Sequence, residues 1–127
     1  MNKELTKKLN SLVKKISQLP NVSAIFLFGS NVSGKTRRDS DIDVAVLTKN
    51  SNEEEEFEII GCGNKVFDIS VFARLPLIIR FRILKEGKLL FCRDKKYLLE
   101  TNLNTLKNYL DFSVFINRFY KRAIKNV

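Results

Sequence analysis

GSNVSGKTRRDSDIDVAV, residues 29–46, satisfies two incompatible patterns. Gly29 with Gly34-Lys35-Thr36 fits G-x-x-x-x-G-K-[ST], a loop that cradles phosphates against the amides of the helix it opens. Gly29-Ser30, ten residues, and then Asp41-Ile42-Asp43 fits G-S-x10-D-x-D, a different nucleotide chemistry. The flanking residues decide between them. Residues 22–28 (VSAIFLF) read as a strand covered on both faces, and residues 41–48 read as a second strand with clear alternation. Only Arg37, Arg38, Asp39 and Ser40 separate Thr36 from that second strand. They make barely one helical turn, whereas a crossover helix to a parallel strand needs about ten residues or more. The lysine pattern is therefore a chance match.

The second pattern fits its context. Side chains alternate along a strand, so Ile42, Val44 and Val46 share one face and Asp41, Asp43, Ala45 and Leu47 the other. Two carboxylates at i and i+2 have alpha carbons roughly 7 Å apart and can converge on one divalent ion. Aspartate is depleted in strands, and like charges this close are costly without a cation. The bland alternative has Asp41 capping a turn and Asp43 solvated. A third strand is expected over residues 65–72 (KVFDISVF), where Asp68 interrupts an apolar run. If that strand lies beside the second, Asp68 faces the same site and three carboxylates form a two-metal cradle. Otherwise Asp68 is a lone acid satisfied by hydrogen bonds. Gly29 would let a phosphate approach the backbone, with the Ser30 hydroxyl and adjacent amides as donors.

The rest of the chain limits the chemistry. It has 127 residues, 44% of them hydrophobic, which suits a single domain spanning 1–127. With no histidine, Ser-His-Asp and Cys-His nucleophiles are excluded, as are zinc sites that need imidazole. Oxygen ligands point to magnesium or manganese. Twenty-three basic residues against 14 acidic ones give a formal charge of +9, which suits a polyanionic partner without choosing one. No apolar run approaches the roughly 18 residues of a membrane span. No signal-peptide core is present, so a cytoplasmic protein without a membrane partner is expected, with Cys62 and Cys92 as free thiols.

Helical periodicity covers residues 3–19, stopped by Pro20-Asn21. The acidic run 53–56 reads as the exposed start of a short helix. Pro76 suits the first turn of a helix to about Glu86, with Gly87 as its C-cap, and residues 88–92 form a fourth strand. From residue 94 to about 125 the pattern is helical, and its apolar face shifts near Asp111-Phe112-Ser113, which predicts a kink or two helices. The order predicts an α/β (α+β) fold with a small mixed sheet of about three or four strands flanked by helices.

These residues resemble the signature of the DNA polymerase beta-type nucleotidyltransferases, most closely their minimal members. The helix, strand, Gly29-Ser30 loop, Asp41-x-Asp43 and later Asp68 all match, and residues 82–92 (RILKEGKLLFC) also look like that group. The resemblance implies the nucleotidyltransferase fold. It implies that Gly29 and Ser30 hold the triphosphate of ATP, and that Asp41 and Asp43 bind two Mg2+ ions. Asp68 would help hold the ion nearer the acceptor and assist deprotonation of the attacking hydroxyl. Lys35, Arg37 and Arg38 could neutralise phosphate charge or remain ordinary loop cations. Minimal members often act as antitoxins paired with a HEPN-domain toxin, some by transferring AMP to a tyrosine of that toxin.

Other readings compete with that one. The chain could neutralise a partner by binding alone, or modify a small-molecule acceptor. An RNA-binding module resting on the +9 charge ranks last. The basic, aromatic segment with Phe115, Arg118, Phe119, Tyr120, Lys121 and Arg122 is a candidate docking surface, although a core helix is the plainer expectation for its aromatics.

Overall fold

A computed structural model describes residues 3–29 and 42–125. Their order is α1 (Lys3–Ser17), β1 (Val22–Phe28), β2 (Ile42–Thr48), α2 (Glu53–Ile60), β3 (Phe67–Val71), α3 (Leu77–Glu86), β4 (Lys88–Cys92) and α4 (Lys95–Lys125), with a 3-10 turn at Phe72–Arg74. The strands form one mixed sheet in the order β3-β2-β1-β4. β1 runs antiparallel to both β2 and β4, and β3 runs parallel to β2. This is the mixed sheet with flanking helices that the sequence predicts. The antiparallel β1–β2 pair also removes the phosphate-loop reading, which needs a parallel neighbour reached through a crossover helix.

Each sheet face buries its own cluster. On one side Leu9, Leu12 and Ile16 of α1 and Ile59 of α2 pack on Ile25, Leu27, Ile42, Val44, Val46, Phe67 and Ile69. On the other, Phe72 and Ile83 cover Ala24, Phe26, Ala45 and Leu47, with Tyr97 and Leu98 of α4 packed alongside. The period-2 alternation of β2 thus splits its residues between two cores, which is why 42–48 is almost wholly buried yet alternates.

Local chemistry sets the ends of the elements. The Asn52 side chain accepts from Glu55 N–H at 2.9 Å and caps α2. The acidic run is not merely solvated: Glu55 accepts from Asn21, and Glu56 accepts from Arg74 Nε at 3.1 Å. The Gly87 amide bonds the Ile83 carbonyl and closes α3. Pro76 sits at the N-cap of α3, just before the helix.

The expected break near residue 112 does not occur. α4 is one helix of 31 residues with no Pro or Gly inside it, so nothing interrupts its i to i−4 ladder. The shift in apolar face instead marks where the helix loses its cover. Thr105 is buried and the Tyr109 ring stacks on Phe81 at 3.9 Å, but residues 110–125 are mostly exposed. Phe115, Phe119 and Tyr120 are 62–64% exposed, so these aromatics are surface and not core. No helix among the described residues is long and apolar enough to cross a membrane. Cys62 and Cys92 are free.

Candidate functional site

The site starts from strand register. Asp43 of β2 lies opposite Phe28 of β1 on one side and Asp68 of β3 on the other. Residues paired across strands point to the same face, and neighbouring strands lie about 4.8 Å apart. The two carboxylates therefore leave the sheet side by side, on the face that carries Ala45 and Leu47. The apolar cover on that face ends before this row: Ala45 is fully buried, whereas Asp43 is half-buried and Asp68 exposed.

A polar turn holds β3 in this register. The Asn64 side chain accepts from Val66 N–H at 2.8 Å and from Phe67 N–H at 3.0 Å. Ile42 N–H donates to the Val66 carbonyl at 2.8 Å, tying the start of β2 to the residue before β3. Asn64 thus sets where β3 begins, and hence that Asp68 meets Asp43.

Gly29 follows β1 directly and has φ +86°. A Cβ built on it would lie 2.4 Å from Asp43 Oδ2, nearer than any real Cβ contact. Only glycine allows both this backbone and so close an acid. The sequence reading has this glycine admit a phosphate to the backbone; the structure shows a second group beside it. That group is the Asp43 carboxylate.

The structure therefore brings together Gly29, Asp43 and Asp68. Ser30, Lys35, Arg37 and Asp41 lie outside the described residues, as does Arg38. Among the described residues no group of three or more acidic, Cys or His side chains could hold a metal ion. The two opposed carboxylates are nevertheless hard oxygen donors of the kind divalent magnesium or manganese takes. Asn64 escapes the sequence reading, which treats it as one residue of an ordinary turn. The signal that could find it is an Asn placed two and three residues before the first amides of a strand.

The polymerase beta nucleotidyltransferase family profile matches residues 10–96. A protein of Methanocaldococcus jannaschii, MJ1547, provisionally named a protein adenylyltransferase, is 38% identical over 71 residues. That stretch is 55% of this chain and 56% of the relative, so the match spans little more than half of either. Among solved structures, a chain of a toxin-antitoxin complex with AMP-PNP superposes with a TM-score of 0.69 at 20% identity, covering 91% of this chain and 98% of that one. A chain from the tri-AMPylated Shewanella oneidensis HEPN toxin in complex with its MNT antitoxin gives 0.63 at 18% identity, covering 93% and 94%. At those identities the likeness shows a shared fold. The profile match extends from within α1 to the start of α4 and takes in β1, β2, β3 and their carboxylates; the chain belongs to the polymerase beta nucleotidyltransferase family.

Proposed function

We propose that this chain is a metal-dependent protein adenylyltransferase that acts as an antitoxin, moving AMP from ATP to a tyrosine hydroxyl of a HEPN-type toxin. The observation that carries the reading is the register that sets Asp43 against Asp68 beside Gly29. The M. jannaschii relative carries the name of a protein adenylyltransferase, and proteins of this fold occur in complexes with an AMPylated HEPN toxin and with AMP-PNP. Both support the acceptor and the donor assigned here.

In this reading Asp41, Asp43 and Asp68 hold two Mg2+ ions. When bound, the ions supply charge neutralisation for the triphosphate and a lower pKa for the acceptor hydroxyl. Gly29 and Ser30 donate hydrogen bonds to the triphosphate, and Lys35 and Arg37 offset its charge. The tyrosine oxygen forms a bond to the α-phosphorus as the bond to the bridging oxygen breaks, and pyrophosphate leaves. Asp68, exposed on an edge strand, is placed to accept the hydroxyl proton from an acceptor that arrives from outside. The acceptor belongs to a separate protein, and the cytoplasm supplies both it and ATP.

The test uses ATP labelled at the α- or the γ-phosphate, with magnesium and the purified toxin. Label should reach the toxin from the α position only, and Asp43→Asn should reduce transfer by about a thousandfold. Full transfer by Asp43→Asn would refute the assignment. Neutralisation that persists without any transfer would reduce the activity to binding.

A further inference from the structure

α4 carries two faces of different character. Leu98, Thr101, Thr105 and Tyr109 recur at helical spacing on the side turned to α3 and the sheet, and each is buried or half-buried. On the flank beside them stand Leu99, Leu103, Leu106 and Leu110, between 43% and 59% exposed. Their spacing of four, three and four residues has the 3.5-residue period of a seam between two helices. A helix that served only its own core would not need leucine at four successive seam positions in water.

We infer that this seam pairs with the same seam of a second copy of the chain, antiparallel and across a twofold axis. The leucines alone would accept any apolar helix; the flanking charges select the occupant. Glu100 and Lys107 occupy equivalent positions one heptad apart on one edge of the seam. Both are exposed, and neither has an ion-pair partner among the described residues.

An antiparallel pair with Leu99 facing Leu110 and Leu103 facing Leu106 sets Glu100 of each copy against Lys107 of the other, twice by symmetry. Sliding the pair one heptad in either direction would oppose Lys107 to Lys107 or Glu100 to Glu100. A slide of two heptads restores an ion pair, from Glu100 to Lys121, but sets Leu106 against Asn117 and Leu110 against Ser113. A parallel pair would set Lys95 against Glu100 but leave Lys107 beside Asn102 and Tyr109 beside Val114, so Lys107 would have no opposite charge. Only the antiparallel arrangement faces leucine with leucine and gives both Glu100 and Lys107 an opposite charge, and it is isologous.

Sedimentation velocity on the purified full chain tests this without reference to catalysis. The wild type should be a dimer at micromolar concentration, and Leu103→Asp with Leu106→Asp should leave a monomer with unchanged far-UV circular dichroism. Should that double variant fail to fold, exposed charge variants decide instead. Glu100→Lys and Lys107→Glu should each weaken the dimer by about tenfold or more. Mixing these two single variants should restore pairing, because every flanking contact between them is then opposite in charge. A parallel pair would not respond in this way. A monomeric wild type, a dimer indifferent to the leucine substitutions, or no recovery on mixing would each overturn the proposal.

Discussion

At Gly29 a backbone requirement and an electrostatic one coincide. Its positive φ costs an L-residue about 1–2 kcal/mol, and its missing Cβ is where Asp43 Oδ2 comes closest. Gly29→Ala should therefore do two separable things. The thermal midpoint should fall modestly, from backbone strain, while nucleotidyl transfer should fall by about tenfold or more, because the new methyl displaces the carboxylate. Transfer assays and thermal melts on the same preparation check this, and a variant with full activity would show that the contact has no role. The sequence shows both aspartates as oddities, acids in apolar strands, but it cannot show that they meet. That depends on register between strands separated by α2, and Asn64 helps set the register through two amides that no alternation pattern marks. Gly29 is legible as a turn glycine. Its contact with Asp43 follows only once β1 is known to pair antiparallel with β2.

At the scale of elements, the sequence is most legible where period and punctuation agree. Strand β4 falls on the expected residues 88–92, and α3 ends at Gly87 as its pattern predicts. It is least legible in α4, where a drifting stripe looks like a break. The drift has another cause: the first four turns answer to the sheet and α3, and the later ones are mostly exposed. Connections between elements are harder still to read. Arg93, just past β4, donates to the carbonyls of Leu19 and Pro20 at 3.1 and 2.8 Å and also to that of Ser17, and so caps the end of α1 from across the fold. Local sequence contains no hint of that contact, which spans more than seventy positions. Arg93→Ala should destabilise the chain by about 1–2 kcal/mol in urea unfolding. Arg93→Lys should recover only part of it, because an ammonium cannot reproduce the planar fork of donors.

At the scale of the molecule, the sheet separates two tasks. One face is sealed along β1, β2 and β3 by α1 and α2, while the other is sealed only as far as Ala45 and leaves the carboxylate row at its rim. Strand order could not be read from the sequence, because β4 joins the far side of β1 after two intervening strands and two intervening α-helices, and no local pattern names its partner. That order still matters to the site: it makes β3 an edge strand, so Asp68 is exposed while Asp43 is flanked on both sides. Stability and ligand binding should then be coupled through the rim. A ligand that binds only the folded state at about a hundred times its dissociation constant adds about 2.7 kcal/mol, or roughly 10 °C in thermal midpoint for a chain of this size. ATP with magnesium should raise the wild-type midpoint by that order, EDTA should remove most of the gain, and Asp43→Asn should show little of it. The two ligands must act together for the carboxylates to be what joins them. A shift that ATP alone produced in full, untouched by EDTA or by Asp43→Asn, would mean that the triphosphate is held elsewhere on this basic surface and that the opposed aspartates serve the fold.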